Sequence, residues 1–489
     1  MKFETVIGLE VHAQLLTESK IFCTCSTKFN NDKPNTNICP ICTGQPGVLP
    51  VLNKKVVEFA IKTGISLNAK IAPHSIFARK NYFYPDLPKN YQVSQYELPI
   101  ATGGKLEITV DGKSRTIGIT RVHLEEDAGK LVHVGAAGLK GSSSSLVDFN
   151  RTGVPLMEIV SEPDIRSPEE AKVYMQELRN LLVSLGVCDG KMEEGSLRCD
   201  ANVSLRPVGQ KEFGIKAEVK NMNSFKAVQK ALAAEVKRQT QVLEEGGKIT
   251  QETRLYDDTT DATVPMRSKE EAHDYRYFPE PDLVPIEIDK KWTDEISKTI
   301  GELPQEKEKK YIEKYKVPVN IAHVLVSGTS TIAAKDLSSK FEEGVHIDPS
   351  IAQELANTLT GSVSAYCGTK KINDFNREIP INPILDMIHK VGIGEINIST
   401  GKDVLYKALD TGKNIADIVK DAGATQISDK GEISKMISDV IQKNPKPVAD
   451  YKAGKENSLF FLMGQVMKAS QGRANPEIVK KILIEELKK

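Results

Sequence analysis

The sequence lacks long hydrophobic runs, is poor in cysteine and carries no net charge. No stretch approaches the ~18 uninterrupted apolar residues of a membrane span, and Met-Lys-Phe-Glu-Thr at the N-terminus has no basic-then-apolar signal pattern. Seven cysteines in 489 residues do not make a disulfide framework. Lys plus Arg equals Asp plus Glu, at 66 each, so total charge indicates no partner. We therefore expect a cytoplasmic protein that does not enter a membrane.

Motifs of common nucleotide-binding and hydrolytic sites are also missing. There is no Gly-x4-Gly-Lys-Ser/Thr loop, because Gly401-Lys402 is followed by Asp403, so any ATP would be held without a P-loop. No Gly-x-Ser-x-Gly elbow occurs, and residues 141–145 are better interpreted as a linker. No cysteine lies in a setting that indicates a glutaminase nucleophile.

Strand patterns dominate the first three fifths of the chain, and helical patterns dominate the rest. Alternating or β-branched segments are interrupted by helices that begin at Ser167-Pro168 and near Ser224. A Gly/Ser-rich segment at 135–145 predicts a flexible connection. At about 150 residues per domain the chain should hold about three domains. We predict a strand-rich domain with inserted helices over 1–293, a helical domain over 294–405 and a helical tail domain over 406–489.

Four cysteines form two close pairs near the N-terminus. Cys23-Thr-Cys25 is followed after thirteen residues by Cys39-Pro-Ile-Cys42. This spacing is typical of a tetrahedral zinc knuckle with Zn–S bonds of about 2.3 Å, and two accidental pairs are much less plausible. Four protein ligands leave no coordination position for water or substrate. The motif predicts structural zinc without a direct catalytic role.

Acidic segments from distant parts of the chain have the pattern of polar strand faces. The period of two places Glu10 and His12 on one face, and Arg198 and Asp200 likewise share a face. Several carboxylates on one sheet face would repel each other without a cation among them. Oxygen-rich sites suit Mg²⁺, which usually indicates phosphate chemistry. The candidates are the acidic or imidazole residues Glu10, His12, Glu125, Glu126, Glu158 and Asp200 and the cations Lys80, Arg121 and Arg198.

Two interpretations of this acidic face stay open: a Mg²⁺–phosphate site, or separate solvated surface residues. No spacing rule fixes the proximity of residues from different strands, and each alone could be a solvated surface residue. The basic–aromatic segments 79–86 and 274–282 are equally ambiguous, because they could stack on a base and hold a phosphate or simply form packed aromatic hairpins.

The longest of these motifs resemble a known family. Val6 to His12, Arg79 to Asp86, Val122 to Lys130, Asp148 to Asp164, Lys191 to Asn202 and Asp274 to Asp282 are similar to the B subunit of the aspartyl/glutamyl-tRNA amidotransferase, and the similarity runs essentially end to end. The resemblance implies an α+β fold: a mostly antiparallel cradle domain like the sheet of glutamine synthetase and guanido kinases, followed by an all-helical domain and a helical tail that contacts tRNA.

The resemblance also implies a reaction and partners. Asp or Glu misacylated onto tRNA(Asn) or tRNA(Gln) is phosphorylated by ATP on its side-chain carboxylate and then amidated, as in a carbon–nitrogen ligase with glutamine as amido donor. An amidase-type glutaminase subunit supplies ammonia through a channel, and a small third polypeptide connects the two in a heterotrimer.

The resemblance further implies roles for individual residues. Glu10, His12, Glu125 and Glu158 would hold one Mg²⁺, and Glu194 or Asp200 would help with a second. Lys80 and Arg198 would face phosphate, and Glu126 is a candidate proton relay.

Two other functions compete with this one. A zinc-containing tRNA-binding adaptor without catalysis would use the cysteine knuckle and a mildly basic C-terminal end, where residues 446–489 carry nine Lys or Arg against five Asp or Glu. A kinase for a small carboxylate metabolite would not need that basic end. The sequence does not decide between Asp-tRNA and Glu-tRNA.

Overall fold

A computed structural model describes residues 2–29, 32–134, 142–268, 275–329, 331–372, 374–421, 430–470 and 474–488. The chain divides into two compact units, Met1–Leu303 and Pro304–Lys489. Most of the Gly/Ser-rich connection predicted at 135–145 lies outside the described residues.

The first unit contains all the described strands and, in its described residues, four α-helices. The strands are β1 Phe3–Gln14, β2 Lys70–Ile71, β3 His74–Ser75, β4 Ala78–Asn81, β5 Tyr91–Ser94, β6 Ala101–Val110, β7 Lys113–Glu126, β8 Lys130–Val134, β9 Ser144–Asp148, β10 Pro155–Ser161, β11 Leu197–Pro207, β12 Ala217–Lys220, β13 Glu252–Asp257, β14 Ala262–Ser268, β15 Phe278–Pro279 and β16 Ile286–Glu287. The helices are α1 Lys54–Ser66, α2 Pro168–Ser184, α3 Phe225–Glu244 and α4 Lys290–Ser297.

Nine of these strands form one sheet in the order β14-β13-β12-β11-β1-β10-β7-β6-β2. Its pairings are antiparallel except for β12 with β13. The short strands β15, β4 and β5 make a second, three-stranded sheet. Residues from distant parts of the chain therefore become neighbours on β1, β10, β11 and β7 at the centre of the large sheet.

One face of the large sheet is apolar and packs on helices. On β1 the side chains of Ile7, Leu9 and Val11 are buried, in a core shared with α1, α2 and α3. Burying each such side chain contributes about 1.5–3 kcal/mol. Because side chains alternate along a strand, Glu10 and His12 must then lie on the opposite face. The hydrophobic pattern of β1 thus determines which face carries the polar residues.

Ser167 starts α2 as the sequence predicts. Its side chain accepts a hydrogen bond from the Glu170 backbone N–H, and Pro168 occupies the first turn. In a capping box the Glu170 carboxylate would accept from the Ser167 backbone N–H. It accepts instead from the Arg166 backbone N–H at 2.7 Å and from Arg115. This helix end is consequently tied to strand β7, which carries Arg115.

The second unit is helical throughout its described residues. Its α-helices are α5 Pro304–Tyr315, α6 Val319–Ser327, α7 Ala334–Ile347, α8 Ala352–Thr358, α9 Ser364–Lys370, α10 Phe375–Glu378, α11 Ile381–Gly392, α12 Ile398–Thr411, α13 Ile415–Asp421, α14 Lys430–Lys443, α15 Pro445–Lys452, α16 Asn457–Ala469 and α17 Pro476–Lys488. A 3₁₀ turn at Pro349–Ile351 precedes α8, and a π-turn at Leu359–Val363 joins α8 to α9. The predicted α+β class with a helical C-terminal part is confirmed.

The described residues of the second unit form two hydrophobic cores. One extends from Tyr311 to Val419 and the other from Ile433 to Leu487. The predicted domain limits at 293 and 405 fall inside α4 and α12. Ile296 of α4 packs into the core of the first unit, and Leu405 of α12 packs into the first of the two helical cores. None of the described helices combines the length and apolar character that a membrane span requires.

Candidate active site and cysteine cluster

Three of the predicted site residues meet on the polar face of the large sheet. The register pairs His12 of β1 with Glu158 of β10, and Glu125 lies on the neighbouring strand β7. His12 Nε2 is 3.4 Å from Glu158 Oε2 and 3.6 Å from Glu125 Oε1. One ligand atom from each residue lies within 4.8 Å of the others. We call these three residues the carboxylate–histidine cluster; its donor set fits a hard divalent cation with coordination positions left for other oxygens.

His123 is a fourth member of this environment that the sequence prediction did not assign. Its Nε2 is 3.2 Å from Glu158 Oε2 and 3.8 Å from Glu125 Oε2, and its Nδ1 is buried without a hydrogen-bond partner in the described part of the chain. The sequence did contain a signal for His123, because His123 and Glu125 are two residues apart and so share a face of β7.

The cluster has strongly perturbed proton equilibria. Burial lowers the pKa of His12, but the carboxylates of Glu158 and Glu125 outweigh it and raise this pKa to about 9. Burial raises the pKa of Glu158, yet the imidazoles of His123 and His12 hold it well below its ordinary value. In the metal-free protein the cluster is therefore a set of charged pairs, which is typical of functional sites.

Glu10 and Asp200 occupy the next row of the same sheet face, outside the cluster. Glu10 Oε1 accepts a hydrogen bond of 2.8 Å from Asn202 Nδ2. Asp200 lies opposite Glu10 in the register and pairs with Lys220, which also lies 3.3 Å from Glu218 Oε1. Glu10 therefore lies beside the cluster, but its carboxylate oxygens are not among the donor atoms that lie within 4.8 Å of one another.

Both predicted phosphate-facing cations approach the cluster. Arg198 lies opposite His12 in the register, donates to Asp127 Oδ2 at 2.8 Å, and its buried Nε has no hydrogen-bond partner among the described residues. The ammonium of Lys80 lies 4.8 Å from the ring centre of Tyr275. Burial lowers the pKa of Lys80, but Tyr277 and Glu125 outweigh it and raise the pKa above its ordinary value. Lys80 therefore stays charged beside the cluster.

The two aromatic segments pack against each other. The rings of Tyr82 and Tyr275 meet edge to face with centres 6.1 Å apart, and Arg79 donates to both oxygens of the buried Glu280, at 2.7 and 2.8 Å. This ion pair holds β15 on β4. Phe83 remains 74% exposed, so aromatic surface is still available there. Asp274, the first residue of the second segment, lies outside the described residues.

Glu126 and Glu194 lie elsewhere. Glu126 is buried, pairs with Lys89 and accepts from the Val93 backbone N–H at 2.9 Å. It lines a concavity of about 220 Å³ together with Cys42 and Glu280. Glu194 is exposed, pairs with Lys191 at 2.8 Å and lines a different concavity. The structure brings neither carboxylate into the carboxylate–histidine cluster.

The four cysteines Cys23, Cys25, Cys39 and Cys42 converge in the loops between β1 and α1. Their sulfur atoms all lie within 4.8 Å of one another. The Cys39 backbone N–H donates to Cys42 Sγ at 3.2 Å, and the fully buried ammonium of Lys20 lies 3.8 Å from the same sulfur. This all-thiol donor set fits tetrahedral zinc, and the buried cation and N–H group would offset the negative charge of thiolate ligands.

The thiols of the cysteine cluster also differ in pKa. A hydrogen bond from Cys23 lowers the pKa of Cys42 to about 5, and the same bond raises the pKa of Cys23. Burial raises the pKa of Cys25 to about 11. Deprotonation is thus favoured at Cys42 over Cys23 and Cys25.

Comparison with known families and proteins gives one consistent result. The family model described as the GatB/GatE catalytic domain matches residues 5–294, and the GatB domain model matches residues 339–487.

Curated relatives match over their full length. The B subunit of the aspartyl/glutamyl-tRNA(Asn/Gln) amidotransferase of Carboxydothermus hydrogenoformans is 53% identical over 100% of this chain and 99% of its own. The proteins of the same name from Thermodesulfovibrio yellowstonii and Moorella thermoacetica are 53% and 50% identical over the whole of both chains.

Proposed function

Because the chain belongs to the family of aspartyl/glutamyl-tRNA(Asn/Gln) amidotransferase B subunits, we propose that it carries the transamidation centre for misacylated Asp-tRNA(Asn), Glu-tRNA(Gln) or both. ATP would phosphorylate the side-chain carboxylate of the esterified amino acid, and ammonia would then displace the phosphate. A carboxylate needs this activation because oxide is a poor leaving group, whereas phosphate leaves readily. The partners would be an amidase-type glutaminase subunit that releases ammonia and a small bridging subunit, assembled in the cytoplasm.

One observation carries this proposal. His12, Glu125 and Glu158 come from three strands and converge within 4.8 Å, with Lys80 and Arg198 beside them. A structural ion pair needs one partner for each charge, whereas this arrangement gathers carboxylates, imidazoles and cations around one spot. The cluster would hold Mg²⁺, which shields the like charges of phosphate and carboxylate when it is bound.

The surrounding side chains have distinct tasks in this proposal. Arg198 would donate its free Nε–H to a phosphate oxygen while Asp127 fixes its guanidinium. Lys80 would neutralise developing charge on the transferred phosphoryl group from its aromatic surroundings. Glu10 would orient a substrate group from its position beside His12, and Asp200 would keep Lys220 near the same surface.

Zinc, ammonia and tRNA would each contact a further part of the chain. The cysteine cluster would bind structural Zn²⁺ and keep the wall formed by Cys23 and Cys42 rigid beside Glu126. Glu126, whose carboxylate pairs with Lys89, would act as a proton relay for incoming ammonium. The helical tail would contact the tRNA body, where Phe460 and Phe461 of α16 are 63% and 48% exposed.

The deciding experiment measures amide formation. The chain is co-expressed with its partner subunits, supplied with ATP, Mg²⁺ and glutamine, and tested with each misacylated tRNA. Glu125→Gln should abolish ATP-dependent amidation while tRNA affinity, measured by filter binding, stays within about twofold of the wild-type value.

Two outcomes would overturn the proposal. If the wild-type complex binds tRNA but turns over no ATP with aminoacyl-tRNA, the chain is a zinc-containing adaptor. If Glu125→Gln weakens amidation and tRNA binding equally, the cluster acts in binding alone.

A further inference from the structure

His123 contacts both carboxylates of the carboxylate–histidine cluster from a buried position on β7. Its Nε2 lies 3.2 Å from Glu158 Oε2 and 3.8 Å from Glu125 Oε2. Burying a polar ring is unfavourable unless its nitrogen atoms find hydrogen-bond partners. The two carboxylates are the partners that His123 finds, so its place in the sheet is tied to theirs.

The strand register explains why His123 reaches Glu158. His12 of β1 pairs with Glu158 of β10, and Glu158 pairs in turn with His123 of β7. The three residues therefore form one row across three neighbouring strands, which are spaced by about 4.8 Å. Residues in one row share a face of the sheet. The Glu158 carboxylate consequently has an imidazole on each side.

The two imidazoles differ in their access to solvent and to a metal ion. The His12 side chain is 19% exposed, whereas the His123 side chain is 3% exposed. Among the residues that the structure describes, the donor atoms that lie within 4.8 Å of one another include an atom of His12 and none of His123. His12 thus lies where an ion would be held, and His123 lies on the other side of Glu158.

Strand β5 and the residue that follows it fix this end of β7. The pairing of β7 with β6 ends at Val122, and beyond it the Leu124 backbone N–H donates to Gln95 Oε1 at 3.0 Å. The buried Ser94 hydroxyl donates to Glu125 Oε2 at 3.3 Å. Glu125 is therefore held through its neighbour's backbone and through its own side chain, on the side that faces His123.

The second ring nitrogen of His123 indicates which atom donates. Nδ1 is buried and has no hydrogen-bond partner in the part of the chain that the structure describes. A proton on Nδ1 would lose its hydrogen bond with water, whereas a proton on Nε2 has carboxylate acceptors. The neutral ring therefore favours the proton on Nε2, and imidazolium also carries one there. In either form Nε2 donates, and its lone pair is not available to a metal ion.

We infer that His123 is a positioning residue for the divalent cation of the cluster: it donates from Nε2 to Glu158, lies against Glu125, and orients these carboxylates without binding the ion itself. The inference rests on the proposed function. Metal sites commonly have such an outer set of hydrogen-bond partners, and replacing one typically costs about 10–100-fold in metal affinity or activity.

Two substitutions at position 123 separate hydrogen-bond donation from packing. A Gln carboxamide places an N–H where Nε2 lies, whereas the shorter Asn carboxamide places its N–H near the position of Nδ1. Mn²⁺ is the probe, because it accepts the same kinds of ligand as Mg²⁺ and its binding is measured by electron paramagnetic resonance on the full-length chain. His123→Asn should weaken Mn²⁺ binding at least about tenfold, and His123→Gln less than about threefold.

His74→Asn is the matched control. His74 also pairs with a glutamate, at 2.7 Å from Glu287, but it is 46% exposed and lies on β3, in a separate two-stranded sheet. This variant should bind Mn²⁺ as the wild type does. Unchanged Mn²⁺ affinity in His123→Asn overturns the inference. Equal weakening in His123→Asn and His123→Gln also overturns it, because the ring would then act by packing alone.

A second measurement needs no substitution of His123, so it stands even if those variants fail to fold. Electron spin echo modulation of bound Mn²⁺ detects nitrogen atoms that coordinate the ion directly. The wild-type chain should show one imidazole nitrogen, and His12→Gln should lose it. Coupling to two imidazoles in the wild type, or an imidazole nitrogen that persists in His12→Gln, would make His123 a ligand and overturn the inference.

The assembled complex separates positioning from proton transfer. His123→Asn should raise the Mg²⁺ concentration for half-maximal amidation at least about fivefold, because the ion binds to poorly oriented carboxylates. At saturating Mg²⁺ its kcat should return to within about threefold of wild type, with KM for aminoacyl-tRNA unchanged. A kcat that stays at least about a hundredfold low at every Mg²⁺ concentration would indicate proton transfer by His123 and overturn the inference.

The inference and the proposed function fail in different ways. Mn²⁺ binding is measured on the chain alone, whereas amide formation requires the partner subunits. A wild-type complex that forms amide while His123→Asn binds Mn²⁺ normally overturns the inference alone. A wild-type complex that forms no amide, although Mn²⁺ binding responds to both substitutions as expected, overturns the proposed function alone.

Discussion

The cysteine cluster and the carboxylate–histidine cluster both gather ligand atoms within 4.8 Å, but the chain builds them in opposite ways. The four cysteines fall within twenty residues of sequence and need only a local loop to meet. His12, Glu125 and Glu158 come from β1, β7 and β10, so they meet only after the large sheet has formed. The spacing of the cysteines along the chain predicts the first cluster, whereas the strand order of the large sheet brings the second together.

The two clusters also differ chemically. Four thiols offer a closed set of soft ligands, which favours zinc and leaves no position for substrate. Two carboxylates offer hard oxygen ligands and the imidazole adds one borderline nitrogen, and three donors leave positions for water and phosphate oxygens. The first arrangement therefore suits structural stability, and the second suits a reacting site.

Removing one charge from the carboxylate–histidine cluster should nearly abolish activity without altering zinc content. Glu125→Gln is expected to lower kcat for ATP-dependent amidation at least about 10²–10³-fold, because a preorganised charge is lost where transition-state charge develops. Glu244→Gln, an exposed glutamate at the end of α3, is the matched control. Residual activity above a tenth of wild type would place the essential carboxylate elsewhere.

Removing one cysteine ligand should lower the zinc content and the stability of the protein. Cys42→Ser is expected to release the zinc, which should be present at roughly one ion per chain in the wild type. Because structural zinc stabilises the folded state strongly, the melting temperature of the first unit should fall by at least about 5 °C. Metal content by mass spectrometry and melting by calorimetry check this, with chelator-treated wild-type protein for comparison. Full zinc content in the variant would contradict a four-cysteine site.

Proton release on metal binding should distinguish the clusters next. With a pKa of about 9, His12 is protonated at pH 7 in the metal-free protein and must lose that proton to act as a ligand. Mg²⁺ affinity should therefore rise with pH and level off above about 9, with close to one proton released at pH 7. The raised pKa values of Cys23 and Cys25 predict at least two protons released on zinc binding.

Calorimetry in buffers of different ionisation enthalpy counts these protons. His12→Gln should bind Mg²⁺ more weakly and without the pH dependence. Mg²⁺ binding that releases no proton in the wild type would show that His12 is not a ligand.

The smallest effect is expected at Glu194. This residue is exposed and paired with Lys191, away from both clusters. Glu194→Gln should leave amidation within about twofold of wild type, since exposed ion pairs contribute about 0–1 kcal/mol. A hundredfold loss would mean that this segment joins the site when substrates bind.

Sequence patterns anticipated local features well. The apolar alternation of β1 assigned Glu10 and His12 to the polar face, and Ser167-Pro168 placed the start of α2. The same period of two on β7 places His123 beside Glu125, although the sequence prediction assigned only Glu125. Cores were harder to assign, because an amphipathic helix such as α12 shows that it packs but not on which neighbour.

Lys220 and Asp127 illustrate what the patterns could not supply. Lys220 reaches Asp200 from β12, and Asp127 holds Arg198 and Gln14 from the end of β7. Neither pairing leaves a trace in local spacing. Glu126 shows the reverse case, because it is adjacent to Glu125 in sequence but its side chain points away from the cluster, to Lys89.

Local patterns along the chain predict the spacing of the four cysteines, the faces of the strands, the division into strand-rich and helical parts, and family membership. The folded sheet determines which carboxylates come within 4.8 Å of His12 and that Glu10 lies one row away. The two differ because side-chain alternation and cysteine spacing act over a few residues, whereas strand order and register depend on burial of the whole sheet.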